Sequence, residues 1–82
     1  MANWELKLSR TVTPIRSEPL HTLSDARGYI LSLPPGTRHQ DDWQRAADLL
    51  MAAVDSSSEA DIEQATFRLE RTLLLYRLLA PR

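Results

Sequence analysis

The sequence contains no cysteine, which excludes disulfides as a source of stability and removes every thiolate metal site. Glycine is almost as scarce, with two residues in the chain, and neither Gly28 nor Gly36 lies in the glycine-rich pattern of a phosphate-cradling loop. Long apolar runs are missing too. None approaches the roughly 20 residues that a membrane span requires, and the stretch from Met1 to Arg16 is too polar for the apolar core of a secretory signal. A cytoplasmic protein with no membrane segment is the resulting expectation. An excess of charge is also lacking: the formal net charge is −1, which argues against holding nucleic acid by bulk electrostatics.

With 82 residues the chain makes one small domain, near the size at which folding buries only roughly 60% of the unfolded surface. Small chains commonly add disulfides, metals or oligomerisation to such a core. With thiol chemistry excluded, oligomerisation gains weight.

The strongest positive feature is the segment from Asp61 to Ala80. On a wheel of about 100° per residue, Ile62, Ala65, Leu69, Leu73, Tyr76 and Ala80 form one stripe. Phe67, Leu74 and Leu78 form a second stripe on nearly the opposite side, with Arg71 between them. One apolar stripe suffices for a surface helix, so the second must be covered by another part of this chain or by another chain. Phe67, Arg71, Leu74 and Leu78 are the candidate interface residues.

Two further helices precede it. Thr22 opens the first, with Asp25 three residues on in a capping arrangement. Leu23, Ala26, Ile30 and Leu33 share a face, and Tyr29 stands at its edge. Gly28 costs about 1 kcal/mol relative to alanine, so it either permits a close helix crossing, the favoured reading, or marks a weak helix. Pro34, Pro35 and Gly36 end this segment. The second helix begins between Thr37 and Asp41, its first turn loaded with Asp41 and Asp42. Trp43, Ala46, Ala47, Leu50 and Val54 make its core stripe. Asp41, Arg45, Asp48 and Asp55 lie on the far side, with Asp41 to Arg45 and Arg45 to Asp48 at ion-pair spacing on a solvated face. Ser56, Ser57 and Ser58 form the next break, and Ser58 with Asp61 repeats the capping spacing.

The expected fold is all-α: three helices near 22–33, 39–55 and 59–80, the last two an antiparallel hairpin because their connection is short. Trp43, Leu50, Leu69 and Leu73 are its expected core. An arm at 1–21 precedes this single helical domain at 22–82. In the arm Trp4, Leu6 and Leu8 alternate with Glu5 and Lys7 as in a strand, and Pro14 and Pro19 confine any strand to the region before them. A lone strand is unstable. It must lie along the helices, pair with its copy in a second subunit, or be disordered.

The segment from Pro19 to Ala53 resembles a recurrent pattern in short, uncharacterised bacterial helical proteins. The residues carrying the resemblance are Pro19 and Leu20, Thr22 and Leu23, Asp25 and Ala26, Tyr29 to Leu31, Leu33 and Pro34, then Trp43 and Gln44, Ala47, Leu49 and Leu50. It covers under half of the chain and implies a small helical protein with no activity attached.

Chemistry is sparse. His21 and His39, the two histidines, each lie in an expected connection without a second ligand at metal spacing. Asp41 and Asp42 are neighbours on a helix, so their side chains diverge rather than converge on a substrate. Ser56 to Ser58 have no nearby histidine and no tight glycine turn to make a nucleophile. No catalytic, metal or cofactor residue is therefore assigned, and a non-enzyme is expected.

The charge is uneven. Between Arg38 and Glu63 seven acidic residues oppose two arginines, whereas beyond residue 63 four arginines oppose Glu70; an antiparallel hairpin sets these regions side by side. Lys7, Arg10 and Arg16 could make a basic arm for DNA, but a helix-turn-helix would present Asp41 and Asp42 to phosphate. The leading expectation is a non-enzymatic helical interaction module, self-associating as a homodimer or higher oligomer and serving as adaptor, small regulator or accessory subunit to an unidentified protein. A DNA-binding regulator is the alternative, and a small-ligand binder with a pocket between Trp43 and Tyr76 is a weaker one.

Overall fold

The structure, a computed structural model, describes residues 3–80. The first two residues of the expected arm and the last two of the expected helical domain, Arg82 among them, lie outside the described residues. The elements run β1 (Lys7–Val12), β2 (Leu20–Thr22), α1 (Leu23–Ser32), α2 (Pro35–Arg38), α3 (Asp41–Ser56) and α4 (Glu59–Leu75). The chain is thus mostly helical, but the all-α expectation needs correction: the arm folds into a two-stranded antiparallel sheet.

Lys7 stands opposite Thr22 and Val12 opposite Leu20, with an irregularity of register between them. Leu8, Val12 and Leu20 are buried, and Trp4 and Leu6 pack half-buried against the same core. The lone-strand problem is therefore solved within the chain. Pro19 does not prevent β2, because it precedes the strand and its missing N–H falls outside the ladder. Pro14 forms an isolated bridge with Leu79. The bonds of that bridge use its neighbours, from Ile15 N–H to Leu78 C=O at 2.6 Å and from Ala80 N–H to Thr13 C=O at 3.0 Å, so no donor is demanded of the proline. Within the arm β1 pairs with β2, and the residues just after β1 are joined to the C-terminal segment.

The start of α1 explains why so short a strand exists. A helix leaves its first four N–H groups without helical partners. Here Leu23 N–H reaches Leu6 C=O and Ser24 N–H reaches Trp4 C=O, both at 2.9 Å, while Asp25 N–H reaches Thr22 Oγ1 at 3.1 Å. The Asp25 carboxylate accepts from the backbone of His21 at 2.9 Å and of Thr22 at 3.2 Å. The capping box expected at Thr22 and Asp25 is present. The His21 bond, assisted by those of Thr22, holds the Asp25 carboxyl below its ordinary range. After Leu33 the chain makes α2, a single turn opening on Pro35 where a missing N–H does no harm. Gly28 is not a close-crossing site: a Cβ there would meet nothing within 4 Å, so it weakens the helix without serving a contact.

Ser57, left-handed at φ 55°, ends α3 with its N–H on Ala53 C=O at 2.9 Å. The two-residue link folds α3 and α4 into the expected antiparallel hairpin, and between them Trp43, Leu50, Leu69 and Leu73 are almost wholly removed from solvent. Ser58 takes the capping position of α4, but its side chain makes no capping bond. Instead the Ser56 hydroxyl donates to Asp61 at 2.6 Å and accepts from Ser58 N–H at 3.1 Å.

The other end of α4 corrects the sequence reading more strongly, since the helix stops at Leu75 rather than Ala80. Leu78 N–H bonds to Leu73 C=O at 2.7 Å and Arg77 N–H to Leu74 C=O at 3.1 Å, with Arg77 left-handed at φ 57°. This is a Schellman closure, normally built on glycine, with its accompanying apolar residue, Leu78, turned toward the core. α1 packs on α3, and β1 packs on α4.

Candidate interaction surface

Position in α4 determines what each of its side chains can do. Ile62, Ala65, Leu69 and Leu73 face the core together with Thr66 and Thr72. The two threonines are satisfied in place: the Thr66 hydroxyl donates to Ile62 C=O and that of Thr72 to Arg68 C=O, each at 2.8 Å. Thr66 also accepts Ser9 N–H at 3.1 Å, which docks β1 on the helix.

Beside that contact Arg10 reaches across α4. Its Nη1 donates to both oxygens of Glu63 at 3.0 and 3.2 Å, its Nε donates to Glu70 Oε1 at 2.9 Å, and its Nη2 donates to the same Glu70 atom. Accepting these bonds, Glu70 first and Glu63 second favour the protonated guanidinium and push Arg10 above its ordinary range, and the Arg10 bond lowers the Glu63 carboxyl. Such exposed pairs add little stability; their effect here is to fix the arm along one side of α4. They also neutralise the central charge of the basic arm. The ion pairs present among the described residues are these two, and the expected pairs of Arg45 are not formed.

The face of α4 turned away from the core is largely open, with Arg10 at its edge. Phe67 is 53% exposed, Leu74 65% and Leu75 60%, and Arg71 stands exposed between them. Phe67, Glu70, Arg71, Leu74, Leu79 and Arg10 line an open groove of about 400 Å³. Leu78, expected in this stripe, is instead half-buried against the core beyond the helix end. Leu79 takes its place along the groove wall. No sequence signal announced that exchange, because the residue turning the chain is Arg77 rather than glycine. Leu75 was legible, about 80° from Phe67 on the wheel.

The remaining candidates do not converge. The rings of Trp43 and Tyr76 pack with centroids 5.4 Å apart, and Tyr29 meets Trp43 at 6.2 Å. The proposed ligand space between Trp43 and Tyr76 is therefore filled by the rings themselves, and burial raises the Tyr29 hydroxyl pKa. Trp43 Nε1 is buried without a hydrogen-bond partner among the described residues. His21 lies beside Thr11 at 3.4 Å, whereas His39 closes α2. Asp41 and Asp42 occupy the first turn of α3. Among the described residues no group of three or more potential metal ligands comes together. A second, smaller apolar recess of about 120 Å³ lies between α1 and α3, lined by Leu31, Met51 and Trp4 among others, with the Arg27 guanidinium 5.2 Å from the Trp4 ring. No helix of the described residues is long and apolar enough to cross a membrane.

Comparison with protein-family models, with curated proteins and with solved structures finds no match.

The surface must accordingly be read from its own chemistry. A contiguous apolar stripe with a charged centre, on a helix whose other face is fully engaged, is suited to receiving another apolar helix. It offers no nucleophile and no converging acid and base.

Proposed function

We propose that this chain is a non-enzymatic helical interaction module that self-associates through the exposed face of α4, acting in the cytoplasm as an adaptor, small regulator or accessory subunit. The observation carrying the reading is the uncovered stripe of Phe67, Leu74 and Leu75, to which Leu79 adds a wall. α1 packs on α3, and the arm lies along α4 with Arg10 at the groove edge yet leaves Phe67, Leu74 and Leu75 more than half exposed. Closed twofold association is the commonest way for a small chain to bury such a patch.

Association supplies what the chain lacks. A domain this small has a limited core, and burying the same stripe from two copies extends it. The test is light scattering on the purified chain beside Leu74→Glu. The wild type is expected to rise toward twice 9.3 kDa with concentration, and the variant to remain at the monomer mass with an unchanged far-ultraviolet spectrum. A variant that associates like the wild type would move the interface away from α4.

A further inference from the structure

Resting on that reading, we infer that the second copy lies antiparallel on α4, with the twofold axis passing between Glu70 and Arg71. Phe67, Glu70, Arg71 and Leu74 follow the i, i+3, i+4, i+7 spacing of a single helix face. They are also symmetric about their centre. Phe67 stands three residues before Glu70, and Leu74 three residues after Arg71. An axis between the central pair sets Phe67 of each copy against Leu74 of the other and Glu70 of each against Arg71 of the other. Two apolar contacts and two opposite-charge contacts form at once.

Charge complementarity selects this arrangement over its rivals. In parallel alignment Glu70 meets Glu70 and Arg71 meets Arg71, which is repulsive in both layers. A one-turn slide of the partner sets Glu70 against Leu75 and Arg71 against Leu74, which buries charge against leucine. A slide of three residues the other way sets Phe67 against Arg71 and Leu74 against Gln64, losing the apolar pairing. The groups are also available. Glu70 receives both Arg10 bonds on Oε1, and among the described residues its Oε2 accepts no hydrogen bond and Arg71 makes no ion pair. The Arg71 stem can cover apolar surface while its guanidinium reaches across. The stripe is small, so the dimer belongs with weak, exchangeable interfaces burying under about 1,200 Å² in total.

The absence of cysteine permits a direct test of register. Phe67→Cys and Leu74→Cys chains, mixed and oxidised at high concentration, are expected to form the mixed disulfide in preference to either homodisulfide. Homodisulfides at both positions would show a parallel pair and overturn the register while leaving self-association intact. Association without crosslinking at either position would overturn the α4 face as the contact. A second pair of variants guards against loss of the dimer through the cysteines themselves. Glu70→Arg and Arg71→Glu are each expected to weaken self-association about tenfold or more, and their equimolar mixture to recover it as a heterodimer. Mixing does not restore the Glu70 to Arg10 contact inside the variant chain, so recovery reports contacts between copies. No recovery in folded variants would overturn the central charge pairing. A wild-type chain monomeric at every concentration would remove the proposed function along with the register.

Discussion

Two leucines on one helix provide a matched pair of perturbations. Leu69 is 0% exposed and Leu74 is 65% exposed, yet both lie inside α4 and share its helix propensity. Leu69→Ala removes side-chain atoms from the core and leaves a cavity that its neighbours fill only in part, a loss of about 2 to 5 kcal/mol. A domain of this length has a total stability of about 4 to 12 kcal/mol, so the change consumes a large part of it. At a loss of about 3 kcal/mol the melting temperature falls by roughly 12 to 24 °C. Leu74→Ala removes the same atoms from a solvated position and should cost no more than about 0.5 kcal/mol in the monomer. Urea unfolding at low concentration, followed by tryptophan fluorescence, reads both, with a common slope showing that the unfolded states are comparable. A Leu69→Ala loss under about 0.5 kcal/mol, or equal losses at the two positions, would refute the assignment of the helix faces.

The capping box yields two further expectations: Thr22→Ala should cost about 1 kcal/mol by urea titration, and an unchanged midpoint would contradict the bond to Asp25. Asp25 is held below its ordinary value of 3.8, so folding favours its ionised form; that contribution is present above the unfolded value and is lost as pH falls through the lower folded value. Asp25→Asn should therefore flatten the acid limb of stability below about pH 4, and an identical limb would sink the linkage. Arg77→Gly relieves a left-handed residue at the end of α4 and should stabilise by about 0.5 to 1 kcal/mol, whereas a lowered urea midpoint would contradict the closure. Leu78→Glu should destabilise the monomer as Leu74→Glu does not, because Leu78 packs on the core; equal melting temperatures would return Leu78 to the exposed stripe.

The helices were legible where the chain carries strong punctuation. Pro34 with Pro35, the serine run and the Thr22 to Asp25 spacing mark real boundaries, and the stripes of Trp43, Leu50, Leu69 and Leu73 identify the core. β2 is three residues long, too short to show a period of two, and its pairing with β1 depends on carbonyls of Leu6 and Trp4 reaching the α1 terminus. The α4 closure uses Arg77 in a glycine role, so the pattern of leucines continues past the true end of the helix. Ser58 keeps the capping position without the expected side-chain bond, because the Ser56 hydroxyl engages Asp61 and the Ser58 N–H instead. The sheet depends on bonds between distant segments, whereas the closure and the Ser56 contact are local bonds made without the usual glycine or cap residue. The candidate surface was half visible: Phe67, Arg71 and Leu74 by periodicity, but Leu79 only through the turn at Arg77, and the Arg10 contacts only through the packing of β1 on α4.

Sedimentation velocity of the wild-type chain over a wide dilution series tests the claim of self-association most directly. The account predicts a boundary that shifts smoothly from a 9.3 kDa monomer when dilute toward twice that mass when concentrated, and a shift abolished by Leu74→Glu. A single species of 9.3 kDa at every concentration would contradict it.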